Sequence, residues 1–519
     1  MSQSPERRPS ERLRIVLASS EAVPFSKTGG LADVVGALAK SLDQLGHDVV
    51  LMLPDYFLLR QAISSRLPPV TETGLRFSLP MNGRSMTATV SWSTLPGTNV
   101  RVLLVRQPEY FDRQQLYGEH GHDYVDNCER FSFFSRAVPE ICRQMILRPD
   151  IIHSNDWQTG VIPGLLASVY ADRPGFEQTA SVFTLHNMAF QGRFWHLDTP
   201  LTGLDWKYFN YHYMESWGDL NLLKTGIAFA DQVTTVSPTY AREICTPEGA
   251  YGLEGILRLR QNDLTGILNG IDDKVWNPGT DPLISENYTA ETFEKGKAAC
   301  KSALQLRMGL PSRAGTPLFG MISRMTDQKG FDLISAAADR ILAQDMQIVM
   351  LGTGDPVYED RMRQLANRYP EKVSVVIGFD DPLAHQIESG ADMFLMPSRF
   401  EPCGLNQMYS LRYGTVPIVR NVGGLADSVE HYTPSDAETA TGFVFSDYTS
   451  DRFAETVETA MTLYRTKDRW KQLIRNGMTR DWSWQRSAEQ YVAIYRKAMD
   501  SVLRRRRGEL RVDGERGLT

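Results

Sequence analysis

Lys27-Thr28-Gly29-Gly30 stands just before a helical pattern that opens Leu31-Ala32-Asp33, and residues of these types in this order can hold an anion. A helix start presents N–H groups without partners and the positive end of its dipole, while glycines let a ligand come close to the backbone. Phosphate is the natural guest. Paired glycines also serve simply to turn a strand into a helix. However, Gly-Gly-Leu-Ala-Asp recurs at 423–427 in the same strand-to-helix setting, and together with the lysine this favours the phosphate. Arg324 and Lys329 share another strand-to-helix loop and offer a planar fork and a point charge, suited to two sides of a diphosphate. Either alone would pass as a surface cation. Glu401 precedes Pro402 and a helix expected to start near Gly404. Its carboxylate and the backbone N–H groups that follow could grip sugar hydroxyls, or the carboxylate could only complement the helix dipole. His186 reads as a site residue or a satisfied core histidine, and Asp156 beside Trp157 as a site residue or a helix cap.

These residues sit at the ends of strands. Short β-rich runs at 13–18, 49–53, 100–105, 151–153, 181–186 and 232–237 alternate with helical patterns, and the pattern restarts at 318–322, 347–351, 373–377, 393–396 and 416–420. Such alternation predicts α/β architecture with parallel sheets and crossover helices. In open parallel sheets ligands bind beyond the C-terminal ends of strands. The exception is 75–92, which alternates about Asn82-Gly83 and predicts a β-hairpin inserted in the first domain. The domain junction is placed near residue 265. A last helix at about 486–505 carries Ala488, Tyr491, Val492, Ile494, Tyr495, Ala498 and Val502 on one face.

Several chemistries are disfavoured. Gly352-Thr353-Gly354 lacks the third glycine of a dinucleotide fingerprint, and Gly296-Lys297 is followed by Ala298 rather than Ser or Thr, so there is no Walker A loop. No His/Glu/Cys cluster has metal-ligand spacing, and Asp272-Asp273 and Asp380-Asp381 read as loop pairs. The 519 residues suit two large domains; 42% are hydrophobic and 23% charged, and no apolar run reaches membrane-spanning length. The Arg-rich residues 1–14 lack the apolar stretch of a signal peptide. Five scattered cysteines, never spaced CxxC, argue against disulfides and zinc, so a reducing cytoplasmic setting is expected. A net charge of -6 gives no nucleic-acid footprint, and Arg504 to Arg507 read as a solvated helix end.

Taken together, the motifs resemble one family, the bacterial glycogen synthases and plant starch synthases, retaining glucosyltransferases of the two-Rossmann GT-B fold. The resemblance is carried by Lys27 to Asp33, Tyr124 to Phe131 (Y-V-D-N-C-E-R-F), His153 to Trp157, His186 to Gly192, Leu268 to Asp272, Ser323 to Gly330, Glu401 to Leu405 and Gly423 to Asp427, in order along nearly the whole chain. It implies two Rossmann-like domains whose parallel sheets face an interdomain cleft: 1–264, completed by a helix at 485–507 that crosses back to it, and a nucleotide-sugar domain at 265–484, with 508–519 a disordered tail. It implies ADP-glucose as donor, the non-reducing 4-hydroxyl of an α-1,4-glucan (glycogen) as acceptor, and no cofactor. Lys27, Thr28, Gly29 and Gly30 would lie near the donor diphosphate, with Arg324 and Lys329 neutralising the leaving ADP in place of a divalent metal. Glu401 and the Cys403-Gly404-Leu405 backbone would hold the glucose hydroxyls; His186, Asn187 and Asp156 would line the sugar site, with Asn269 close by. Asn406 stands where Thr is frequent, and either is expected to cap the helix. Tyr124, Asp126 and Asn127 match a family motif to which the sequence assigns no role. Two rival readings are a phosphorylase-like enzyme, which would need a lysine-bound pyridoxal phosphate, and a silent glucan-binding protein, against which the intact set Lys27, His186, Arg324, Lys329 and Glu401 speaks.

Overall fold

The computed structural model describes residues 12–62, 67–119 and 121–507. The expected tail at 508–519 and most of the Arg-rich start lie outside them. The chain divides into two compact units, one of Met1–Val236, Ala241–Ile267 and Trp484–Thr519, the other of Ser237–Tyr240 and Leu268–Ser483.

Among the described residues the first unit has a nine-stranded sheet in the order Leu264–Gly266, Gln232–Thr235, Ala180–Leu185, Ile151–Asn155, Arg14–Ala18, Asp48–Pro54, Arg101–Arg106, Arg84–Thr94, Thr71–Met81. The first seven are parallel and the last two join antiparallel. Those two are the hairpin, closed by Asn82 and Gly83 with φ of 48° and 73°, the left-handed pair that matches strand twist. Arg14–Ala18 is the topological pivot: Ile15 pairs with Val49 on one side and with Ile151 on the other. The chain winds outward through Asp48–Pro54, then returns to the opposite side with Ile151–Asn155. The loops after Arg14–Ala18 and Ile151–Asn155 therefore diverge and leave a crevice.

The second unit repeats the plan with six parallel strands in the order Val373–Ile377, Gln347–Gly352, Leu318–Ile322, Met393–Met396, Val416–Arg420, Phe443–Phe445. Its pivot is Leu318–Ile322, and its reversal lies beside Met393–Met396. Phe319, Met321, Ile348, Leu395, Ile418 and Phe443 form its core with Ile334, Ile341, Phe453 and Trp470 from the covering helices.

The final helix, Trp484–Arg506, belongs to the first unit. Its buried stripe of Trp484, Ala488, Tyr491, Val492, Tyr495, Ala498 and Val502 follows the 3.6-residue period and packs on Leu17, Val35, Leu38 and Val182. Each large buried side chain in that stripe contributes roughly 1.5–3 kcal/mol. Tyr495 also hydrogen-bonds His153 Nδ1 at 2.9 Å, and His153 Nε2 meets Thr184 Oγ1 at 2.6 Å, so the helix is tied to the strand beside the pivot and through it to the next one out. The arginine end is not simply solvated: Arg505 pairs with buried Asp231, and Arg506 donates to the Ala171 carbonyl at 3.2 Å. Nor is Asp380 a loop residue without a job; it caps Asp381–Gly390 by accepting from Leu383 N at 2.9 Å.

Tyr495→Phe should strand the buried Nδ1 of His153 and cost about 1–3 kcal/mol, the penalty of a buried unsatisfied group. The expected outcome is a lower melting temperature in scanning calorimetry; an unchanged melt would show that the bond contributes nothing net.

Candidate functional site

In the first unit the two reversal loops carry the candidates. The Lys27 loop leaves Arg14–Ala18 and enters the helix Gly30–Gln44, whose N-cap Gly29 is extended, with φ of -157°, and has no side-chain cap. A Cβ added at Gly29 or Gly30 would meet nothing within 4 Å, so neither packing nor backbone conformation demands glycine at either position. The backbone here is bare toward open space. Lys27 is half-exposed and pairs with Asp33 at 2.7 Å. The anion expectation needs one correction: the N–H groups of Thr28 and Gly29 are already taken, because both donate to the buried carboxylate of Glu21. Glu21 carries no spacing signal and escapes sequence reasoning.

The neighbouring loop begins at Asp156, which takes φ of 56° and is buried. It does not cap the short helix after it; its Oδ1 accepts from His186 N at 2.7 Å, and Asn187 N donates to it as well. Burial pushes its pKa up to about 7 against those two amide bonds, with the charge of nearby Glu21 adding to the rise. His186 is also buried, and desolvation lowers its pKa to about 3, so the ring is neutral. Asn155 Nδ2 donates to the Ala18 carbonyl, which turns its Oδ1 toward His186 Nε2 at 2.9 Å. That oxygen can only accept, so His186 carries its proton on Nε2 and presents Nδ1 as an acceptor. The side chain of Asn187 accepts from Ala189 N at 3.0 Å and shapes the turn. Trp157 packs edge-on to Phe131 at 5.1 Å and leaves room only for glycine at position 192, where a Cβ would lie 2.4 Å from its ring.

In the second unit Arg324 is exposed; its carbonyl accepts from Thr326 N at 3.0 Å, while its guanidinium meets no described residue in a hydrogen bond or ion pair. Lys329 does otherwise: its Nζ lies 2.5 Å from Glu401 Oε2, and both side chains are largely buried. Ser398 Oγ adds a second donor to the same oxygen at 3.1 Å. The loops that carry the pair are stitched together, with Arg399 N on the Gln328 carbonyl at 2.8 Å and Gln328 Nε2 on the Phe400 carbonyl at 3.1 Å. Gly330, with φ of 78°, would place a Cβ 2.1 Å from the Pro397 carbonyl. Buried Asn269 bonds the Cys403 thiol and has no partner for its Oδ1. Gly404 adopts φ of 72°, and Leu405 precedes the helix, which begins at Asn406 and not at 404. Asn406 is no cap: it donates Nδ2 to the Ile322 carbonyl at 2.7 Å, fastening this helix to the pivot strand.

The second Gly-Gly pair differs from the first. Gly423 has φ of 42° and would set a Cβ 1.9 Å from the Glu401 carbonyl, and one at Gly424 would lie 2.2 Å from that of Cys403. Gly424 N donates to the Glu401 carbonyl at 3.2 Å. These glycines let the backbone pack against the Glu401 segment.

Two family models match the chain, one described as the starch synthase catalytic domain over residues 14–259 and one as glycosyl transferases group 1 over residues 305–477. A glycogen synthase of Anaeromyxobacter dehalogenans is 46% identical over 485 residues, 93% of this chain and 99% of that one. Glycogen synthase 2 of Geobacter sulfurreducens is 43% identical over 94% of this chain and 99% of its own. The chain belongs to the glycogen and starch synthase family. The solved catalytic domain of Starch Synthase IV from Arabidopsis thaliana, bound to ADP and acarbose, superposes with a TM-score of 0.85 at 34% identity, covering 94% of this chain and all of that one. The fold is GT-B and the chain a glycosyltransferase.

Two measurements probe the geometry. Gly424→Ala should be destabilising by about 1–3 kcal/mol through overpacking, whereas Gly30→Ala should leave the melt unchanged and lower only activity. Equal melts for the two would refute the distinction. The second concerns pH. A carboxyl whose folded pKa lies near 7 binds a proton that the unfolded chain has already lost, so Asp156 favours the folded state at low pH and loses that advantage as pH rises from about 4 to 7. His153 and His186, both lowered to about 3, act oppositely across roughly pH 3 to 6.5. Asp156→Asn removes one side of this balance. Its melting temperature relative to the parent should rise from pH 4 to pH 8; a flat difference would contradict the assignment.

Proposed function

We propose that this chain transfers glucose from ADP-glucose to the non-reducing 4-hydroxyl of an α-1,4-glucan, with retention of configuration, in glycogen synthesis. The observation that carries the reading is the pairing of Arg324 and Lys329 on one strand-end loop, in a chain alignable over 93% of its length with a glycogen synthase. The Arabidopsis relative is bound to ADP and acarbose, which supports a nucleotide-sugar donor and a glucan acceptor.

Breaking the glycosidic bond piles negative charge on the departing diphosphate, so preorganised cations lower the barrier. Arg324, with its fork uncommitted, suits two phosphate oxygens at once. Lys329 has three donors and spends one on Glu401, which leaves others for phosphate. We assign Lys27, Thr28, Gly29 and Gly30 to the same diphosphate; the amides that can serve it are those beyond Gly29. Glucose hydroxyls fall to Glu401, the Cys403-Gly404-Leu405 backbone and Asn269, whose unpaired Oδ1 is a ready acceptor. His186, through Nδ1, and Asn187 and Asp156 complete the sugar-contacting set.

Retention can proceed through a glycosyl–Glu401 intermediate or by attack on the face the leaving group vacates. Lys329 and Ser398 both donate to Glu401 Oε2, which draws its charge toward fixed donors and weakens it as a nucleophile. Same-face transfer assisted by the leaving ADP is the reading we adopt. We place the reaction in the cytoplasm, where five free thiols stay reduced.

Incorporation of radiolabelled glucose from ADP-glucose into glycogen, with UDP-glucose as competitor, tests the assignment; no transfer from either donor would overturn it. Arg324→Ala and Lys329→Ala should each slow turnover by roughly 10²-fold, about 3 kcal/mol. Only Lys329→Ala should also lower the melting temperature, because it leaves the buried Glu401 charge unpaired. Normal turnover with a raised KM in either variant would reduce the residue to uniform binding.

A further inference from the structure

The Tyr124–Asn127 motif contacts no candidate site residue directly, yet its hydrogen bonds run to the Lys27 loop. Tyr124 N and Asn127 Nδ2 both donate to the Tyr117 carbonyl, at 3.0 and 2.9 Å. Asn127 is itself fixed by Arg130, a fully buried guanidinium that donates to Asn127 Oδ1 at 2.6 Å and to the carbonyls of Tyr110 and Leu116 at 2.7 and 2.9 Å. Asp126 anchors the same turn through Arg113. Tyr117, held in this way, directs its hydroxyl to Glu21 Oε1 at 2.9 Å, with Ser20 Oγ 2.7 Å from the same hydroxyl.

Glu21 is 3% exposed and collects donors from three directions. Thr28 N reaches Oε2, Thr28 Oγ1 lies 2.9 and 3.1 Å from the two oxygens, Tyr117 OH reaches Oε1, and Gly29 N also donates. A buried carboxylate is tolerated only when its lone pairs are filled, and here the loop's own backbone and side chain fill them. Where the loop sits is therefore decided by where Glu21 sits.

We propose that Glu21 is the positioning residue of the Lys27–Gly30 loop, with the Tyr124–Asn127 motif as its foundation through Tyr117. By taking the Thr28 and Gly29 amides it fixes the loop in the extended form that leaves Gly29 and Gly30 bare and aims Lys27 and the start of the Gly30–Gln44 helix at the donor diphosphate. Glu21 touches no substrate; it acts through Lys27. This rests on the reading that ADP-glucose is the donor.

Glu21→Gln tests it because the volume is kept while one acceptor oxygen becomes an NH₂, which cannot serve the donors that face it. kcat/KM for ADP-glucose should fall about 10²-fold, the usual effect of a small misplacement, while KM for glycogen stays within a factor of about two. Tyr117→Phe should lower the same parameter roughly tenfold by removing one hydrogen bond to a charged group. The deciding measurement is the double-mutant cycle with Lys27→Ala. If Glu21 works through Lys27, then Lys27→Ala should cost about 10²-fold in the parent and less than about threefold in the Glu21→Gln background. Additive losses, an equal rise in KM for both substrates, or a Glu21→Gln variant with parental kcat/KM would each overturn the role. If Glu21→Gln fails to give a cooperative melt, the same cycle is run with Tyr117→Phe, and additivity there overturns the role equally. A parent enzyme that transfers nothing from ADP-glucose would remove the proposed function and this role together, whereas an active parent with an undisturbed variant removes this role alone.

Discussion

When a parallel sheet is extended from one strand first to one side and then to the other, the loops above the pivot part in opposite directions, and the polar ends of two strands are left facing a gap. That reversal is the constraint on which the chemistry of this chain depends, and it occurs twice. In the first unit it separates the loops after Arg14–Ala18 and Ile151–Asn155, and in the second those after Leu318–Ile322 and Met393–Met396. Lys27 and Asp156 occupy the first pair of loops; Arg324, Lys329 and Glu401 occupy the second. Nothing about those side chains individually would gather them, since they are distant in sequence. Within each unit the strand order does, and the buried apolar runs that set the strand order are thus the remote cause of each pair of loops.

The two reversals satisfy their carboxylates in different ways. The first is built on buried carboxylates, Glu21 and Asp156, whose oxygens are filled by backbone amides of the loops they hold. The second is built on an ion pair, with Lys329 on Glu401 and Arg324 exposed beside it on the same loop. Amides satisfy a carboxylate without adding a formal charge, beside a neutral His186, whereas the carboxylate of Glu401 is met by the formal charge of Lys329.

Much of this was legible in the sequence, because the central strands are buried on both faces and read as unbroken apolar runs. The hairpin was legible for another reason, that Asn82-Gly83 takes a backbone form few other pairs accept. The edge strands Leu264–Gly266 and Phe443–Phe445 were not, since three residues are too few to display a period. Among the site residues, those in multi-residue motifs stood out by type and order. Glu21 did not, because a lone carboxylate acquires meaning only from partners at positions 28, 29 and 117 that the fold delivers. Asn406 misled in the opposite direction: its type suits a cap, but the carbonyl of Ile322 lies within its reach, and tertiary context decided its use.

The repeated pentapeptide shows how far a motif can be taken as a physical statement. At 29–33 the two glycines have open space on every side, and the aspartate holds Lys27; at 423–427 they are pressed against the Glu401 and Cys403 carbonyls, and the aspartate accepts from the amide and hydroxyl of Thr239, each at 2.7 Å. In both places the glycines stand at the start of a helix, Gly30–Gln44 and Gly423–Ser428. What a side chain would meet there differs. In the second copy it is the protein's own backbone, present at all times, so glycine there is a requirement of folding. In the first copy a Cβ would meet nothing within 4 Å, so there the same two letters answer to no packing requirement of the folded chain, and the motif has one physical meaning at 423 and another at 29.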